Sequence, residues 1–122
     1  RQYAFPGTTW TRWGTATNRT AICNYPVQGF ATGDLLPISL VYLSKAMKTK
    51  DLKSVICNTV HDSIVLDIYP GEEDTCTELV VEAMMSLRQE CQRRYGVDYD
   101  MPVSVEVKMG PNWLDTEVVY AN

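Results

Sequence analysis

From Asp34 onward the apolar positions become periodic: Leu35, Leu36, Ile38, Leu40, Val41, Leu43 and Met47 recur at helical spacing. They cover so much of the circumference that the predicted helix must be largely buried. Asp34 suits its N-cap and Pro37 its first turn, where a missing N–H costs little. Lys45, Lys48 and Lys50 gather at the other end, where the partial negative charge of the helix favours them. The period then shortens to that of strands. Val55 to Val60 and Ile64 to Tyr69 are short, β-branched runs separated by His61-Asp62-Ser63, which predicts a hairpin with a polar tip.

Pro70-Gly71 ends the second run, and Glu72, Glu73, Asp74 and Glu78 open a further helix. It is predicted to reach about Tyr95, with Val80, Met84, Leu87 and Cys91 as its core stripe and Gly96 just past its end. Acid at its start and Arg88, Arg93 and Arg94 near its finish both complement the helix dipole. Val103 to Met109 alternates strictly, as a strand with one wet face does, and is predicted to join the hairpin's sheet. The order arm, helix, strand, strand, helix, strand implies an α+β fold, an antiparallel sheet with helices packed on one face.

The stretch before Asp34 differs from all of this. It is rich in threonine and aromatics (Tyr3, Phe5, Trp10, Trp13), is interrupted by Pro6-Gly7 and Gly14, and reads as extended or looping chain. It serves equally well as an aromatic packing arm or as a nucleic-acid contact.

A length of 122 residues, 45% hydrophobic and 21% charged, is that of one ordinary globular domain. No apolar run approaches the roughly 20 residues of a membrane helix, and the amino end lacks the order of a signal peptide. A soluble, intracellular protein is the expectation, with no membrane partner. Cys23, Cys57, Cys76 and Cys91 contain no Cys-x-x-Cys pair and stand beside a single histidine, His61, which removes the usual zinc sets. Their apolar or helical contexts suggest buried free thiols.

The net charge of −4 argues against a free-standing, non-specific nucleic-acid binder. Its distribution qualifies that. Arg1, Arg12 and Arg19 are unopposed by any acid up to Gly33, whereas the remainder holds eight basic and fifteen acidic residues. The amino-terminal third is therefore the candidate phosphate-facing surface.

Candidate chemistry centres on His61-Asp62. A tip between two buried strands can present a carboxylate rigidly, and Mg²⁺ prefers such oxygen ligands. By spacing alone a turn aspartate bonded to its own backbone explains the pair better. A serine-hydrolase triad is a poor alternative, since the chain has no Gly-x-Ser-x-Gly elbow.

Four ordered motifs change that balance. Asn24-Tyr25-Pro26-Val27-Gln28-Gly29, Val60-His61-Asp62 with Ser63-Ile64-Val65-Leu66-Asp67, Pro102-Val103-Ser104-Val105-Glu106-Val107, and Gly110-Pro111-Asn112-Trp113 resemble the last segments of family A DNA polymerases, the DNA polymerase I type. The resemblance runs from about Arg1 to Trp113 and implies the C-terminal segment of a polymerase palm, with residues 1–23 as an arm and 24–122 as the palm core. It implies that Asp62 is a catalytic, Mg²⁺-binding carboxylate. It also implies that His61 lies by the primer terminus and that Gln28 and Asn24 meet the minor-groove edge or sugar; Arg19 and Arg12, in the basic amino-terminal third, are the arginines expected to face DNA. Primer-template DNA and a deoxynucleoside triphosphate are the implied partners, in DNA replication in the cytoplasm. The Phe30 to Pro37 wording is nearer to phage relatives, which adds a phage-infected bacterial cell as a setting.

Three departures qualify the resemblance. Ser63 stands where the family has glutamate, which puts a second hairpin ligand in doubt. The stretch Gly29 to Asp34 is one residue longer than the common form and is followed by Pro37. If the helix begins near Pro26, as in the relatives, a bulge or kink between Gly33 and Ser39 must absorb the surplus; if it begins at Asp34, none is needed. Finally, the strand bearing the other catalytic aspartate and the helix that grips the incoming nucleotide are not among these residues. A chain with one such aspartate is expected to be inactive until a missing N-terminal polymerase portion is supplied. The alternative is a non-catalytic α+β interaction module derived from a palm, for which Ser63 is the best support.

Overall fold

The computed structural model describes residues 2–14 and 16–122, so Arg1, counted above with the basic residues, lies outside the described residues. Helix α1 (Arg19–Phe30) runs through a wide π-helical turn (Ala31–Leu35) into α2 (Leu36–Thr49). The strands β1 (Val55–Val60) and β2 (Ser63–Asp67) follow, then α3 (Glu73–Met85), α4 (Leu87–Tyr95), β3 (Glu106–Met109) and β4 (Glu117–Ala121). The chain is α+β, with its strands in two separate antiparallel pairs. No helix among the described residues is long and apolar enough to cross a membrane.

Two expectations about the first helix are corrected. It starts at Arg19, where the run to Tyr25 contains neither Gly nor Pro; Asn18 precedes it without a side-chain capping bond, and Pro26 is accommodated inside the helix. Asp34 is not an N-cap but sits within the π turn, where the Leu36 N–H reaches back five residues to the Ala31 carbonyl. Such a turn takes up one residue more than an α-helical turn does. A proline ring collides with the carbonyl four residues before it, here that of Gly33, and widening the preceding turn relieves that clash.

The second helix is also not continuous. It breaks at Ser86 (φ −77°, ψ −2°), whose hydroxyl bonds back to the Ala83 carbonyl at 3.3 Å, a contact that bends helices. The buried stripe is Cys76, Leu79, Ala83, Leu87 and Cys91, with Val80 and Met84 only half-buried. Gly96 does occupy the left-handed position after α4 (φ 66°).

The main core joins Leu43 and Met47 of α2 to Leu79 and Ala83 of α3, and Ile56, Ile64 and Leu66 of the hairpin pack against it. A second cluster, Ile38, Leu87 and Cys91, is covered by Phe30, Leu35 and Tyr99, the rings of Phe30 and Tyr99 meeting edge-on at 5.7 Å. Tyr42 donates to Glu82 at 2.6 Å and so ties α2 to α3. That bond, more than burial, raises the tyrosine's pKa.

The expectation that Val103 to Met109 joins the hairpin sheet fails. Only Glu106–Met109 is strand, and it pairs with β4, not with β1 or β2. The reason is local: Glu117 to Ala121 offers an antiparallel partner across a short loop, so little closure entropy is lost. Upstream, the Val105 N–H donates to the Asn122 side chain at 2.7 Å in place of a ladder bond. The alternation itself holds, with Val105 buried and Val103, Val107 and Met109 half-buried between exposed neighbours.

All four cysteines are free, but Cys23 and Cys57 are exposed rather than buried. Helix α1 buries none of its residues, and Cys57 is the unpaired residue of a β-bulge between Ile56 and Asn58. Cys91 is buried, and loss of solvent raises its thiol pKa.

Glu90 accepts from Arg93 at 2.7 Å and Arg94 at 2.8 Å, and these bonds hold its carboxyl at about 2. A carboxyl with a depressed pKa in the folded state contributes stability that is present above its unfolded value and is lost as pH falls through the folded one. The stability gap between wild type and Glu90→Gln should therefore be full at pH 7. It should narrow between the ordinary value of 4.5 and about 2, as followed by urea unfolding at stepped pH.

Candidate functional site

The hairpin carries the site. Val60 pairs with Ser63, leaving His61 and Asp62 as a two-residue loop. His61 takes positive φ (54°) and Asp62 does not, the φ pattern of a II′ turn, whose twist suits the flanking strands. The Ser63 hydroxyl donates to the Val60 carbonyl at 2.7 Å and closes the turn. Thus the Ser63 side chain is committed to the backbone of the loop. His61, Asp62 and Ser63 are all exposed.

What fixes the hairpin on the helices went unread in the sequence. Glu72 accepts from the Lys53 N–H at 3.0 Å, the Ser54 N–H at 2.9 Å and the Ser54 hydroxyl at 2.6 Å. Ser54 in turn accepts from the Tyr69 N–H at 2.9 Å. One carboxylate therefore clamps the entry to β1, the exit from β2 and the start of α3. The bond from the Lys53 amide, then that from the Ser54 hydroxyl, lowers the pKa of Glu72. By composition Glu72 looked like one more first-turn acid; only its position just after Pro70-Gly71 hinted at another use.

Ser54 is itself buried. Its replacement by alanine strands the Tyr69 N–H and one lone pair of Glu72, and should cost about 1–3 kcal/mol. Urea unfolding should register this as a lower midpoint at unchanged slope.

The remaining predicted residues lie elsewhere. Asn24 and Gln28, four residues apart, share one exposed face of α1, and Arg19 opens that helix. The adjacent face is covered by the arm. Phe5 packs on Tyr25 with ring centroids 5.3 Å apart, and the Tyr3 hydroxyl lies against Gly29 where any side chain would collide with it. Arg12 sits in the arm with its guanidinium over the Trp13 ring, 4.7 Å from the centroid. The predicted residues thus fall on three elements, and no described hydrogen bond joins α1 or the arm to the hairpin tip.

As a metal ligand Asp62 fits in kind, being an exposed oxygen donor of the class that Mg²⁺ takes. It does not suffice in number: among the described residues no three His, Cys, Asp or Glu side chains are grouped to hold an ion. Asp62 by itself is a single oxygen donor, short of a complete site.

In the fourth motif, the Asn112 side-chain oxygen accepts from the Leu114 and Asp115 N–H groups at 2.9 and 3.0 Å. This Asx-type turn leads the chain from β3 toward β4 and leaves Trp113 and Leu114 in solvent.

A family model described as DNA polymerase family A matches residues 6–115. A DNA polymerase I of Lactococcus lactis subsp. lactis is 33% identical over 99 residues, 81% of this chain and 10% of the relative. The DNA polymerase of Bacillus phage SP01 is 35% identical over 92 residues, 75% of this chain and 10% of the relative. A DNA polymerase I of Caldicellulosiruptor bescii is 31% identical over 94 residues, 77% of this chain and 10% of the relative. The chain therefore spans about a tenth of the length of the curated relatives it matches. No solved structure matches it significantly. Strand β4 begins beyond the matched residues.

Proposed function

The chain belongs to DNA polymerase family A, and from that premise we propose that it supplies the C-terminal palm segment of a DNA-directed DNA polymerase, residues 1–23 being an arm and 24–122 the palm core. The observation that carries this is Asp62, exposed at the tip of a two-residue hairpin loop inside the matched region. Asp62 is the catalytic carboxylate and a Mg²⁺ ligand. Bound Mg²⁺ would supply acidification of the primer 3′-hydroxyl and neutralisation of charge on the triphosphate and leaving pyrophosphate.

The chain's own part is positional. The clamp between Glu72 and Ser54 and the packing of Ile56, Ile64 and Leu66 hold the hairpin so that its carboxylate is presented at a fixed place. His61 lies beside the primer terminus. Asn24 and Gln28 offer amide donors and acceptors along one exposed helix face, suited to minor-groove edges, whose acceptors are largely shared among base pairs. They would test pair shape rather than sequence. Arg19 and Arg12 meet phosphates, contacts that position a strand without reading its sequence.

Primer-template DNA, a deoxynucleoside triphosphate and the remainder of the polymerase are the partners, during DNA replication in a bacterial cytoplasm; the phage relative supports a phage-infected cell. A non-catalytic module would need a sealed polar surface. Here Tyr25, Val27, Met101, Trp113 and Leu114 are all exposed, which favours a larger assembly around the chain.

Primer extension tests the assignment. The chain alone should show none. A mixture with the upstream polymerase portion should extend a primer. Extension by the chain alone, or a stable mixed complex without extension, would refute it.

A further inference from the structure

We propose that the tip of the arm, Trp10 to Gly14, binds unpaired bases of a single-stranded nucleic acid, a site that rests on the polymerase reading and deepens it. Trp10 and Trp13 are 75% and 78% exposed, within a few residues of each other. The tip is held rather than loose. Trp10 bridges to Ala16, the Thr17 N–H donates to the Thr9 carbonyl at 2.9 Å, and the Asn18 side chain donates to the Thr8 hydroxyl at 3.2 Å. The Gly14 N–H returns to the Thr11 carbonyl at 3.0 Å, with Gly14 at φ 73°. Positive φ there is a conformation that glycine adopts without penalty.

Two indoles kept in water on a closed loop forgo the burial that aromatic rings ordinarily gain. Their occupant is specified by what surrounds them. The Arg12 guanidinium lies over Trp13, 4.7 Å from its centroid, and the arm and the start of α1 carry Arg12 and Arg19 with no acid before Asp34. Planar faces beside unopposed positive charge complement a polyanion that carries planar groups. In a duplex the base faces are already stacked on one another, whereas in a single strand they are available to aromatic side chains. The fit is therefore to unpaired nucleotides, such as those of a template beyond its paired region, and not to the duplex that Asn24 and Gln28 would face.

The test uses fluorescence anisotropy of a labelled oligodeoxythymidylate and of a blunt duplex of equal length, titrated with the 122-residue chain. The single strand should bind more tightly than the duplex. Trp10→Leu and Trp13→Leu should each weaken it about tenfold, whereas Trp10→Tyr and Trp13→Tyr should retain most of the affinity. Arg12→Ala should reduce the slope of log affinity against log salt by about one, a change the tryptophan variants should not produce. Far-UV circular dichroism confirms that each variant is folded. Equal affinity for duplex and single strand, or leucine variants that bind like wild type, would overturn the site. Primer extension by the reconstituted enzyme judges the polymerase assignment separately. Extension without single-strand binding at the tip overturns this site alone, and tip binding without extension overturns only the polymerase assignment.

Discussion

Leu43→Ala should lower the unfolding free energy by about 3 kcal/mol, within the range for truncating a fully buried leucine. Leu43 is completely buried, between Met47 on its own helix and Leu79 and Ala83 on α3, with Ile56, Ile64 and Leu66 of the hairpin against the same cluster. Removing three carbons there leaves a void whose walls are two helices and a clamped hairpin, so collapse to refill it is restricted. For a domain of ordinary stability this is a large fraction of the total, and thermal unfolding should begin about 10 °C lower. The substitution also removes part of the floor on which the hairpin rests. Val41→Ala, on an exposed position of α2, should shift the transition by well under a third as much.

The hairpin was legible because two short β-branched runs flank a polar tip, and runs of that length and composition favour strand over helix. The loop is tighter than the pattern implied: Ser63 joins β2 and pairs with Val60, β2 ends at Asp67 rather than Tyr69, and the bulge at Cys57 was invisible. An irregular turn near Pro37 was legible, but its location was not, because that depended on α1 beginning at Arg19, and Pro26 concealed the start by looking like one.

The break at Ser86 went unread because serine is neither a strong helix former nor a breaker, and its back-bond to Ala83 depends on its rotamer. The partner of β3 was not legible because Gly110-Pro111 reads as the end of the strand, and the pairing with Glu117–Ala121 depends on the turn that follows. The clamp of Glu72 on Ser54 links positions 18 residues apart, and no periodicity encodes such a bond. Of the candidate site, the tip residues were legible as a group. The residues that hold the tip in place were not, since their roles arise only in three dimensions.

In the polymerase reconstituted from this chain and its upstream portion, Asp62→Asn should slow the chemical step by about a hundredfold or more and leave primer-template affinity nearly unchanged. Asparagine keeps the size and shape of the side chain, so the two-residue loop and the Ser63 bond to Val60 should survive. What is lost is one unit of negative charge at the hairpin tip. In the proposed role a carboxylate there holds a hard cation against the charge that develops on the transferring phosphoryl group, and a neutral amide oxygen would do this poorly. On the proposed assignment DNA is met through phosphate and minor-groove contacts of other residues, and removing a negative charge does not weaken those. Ser63→Glu, by contrast, adds charge but breaks the hydroxyl's closure of the turn, so its effect on rate is the balance of the two. The deciding measurement is single-turnover addition of one matched nucleotide at saturating primer-template and nucleotide, comparing wild type with Asp62→Asn. A rate constant lower by about two orders of magnitude or more, at the same DNA dissociation constant, is the predicted result; equal rate constants would contradict the assignment of Asp62 as the metal-binding carboxylate.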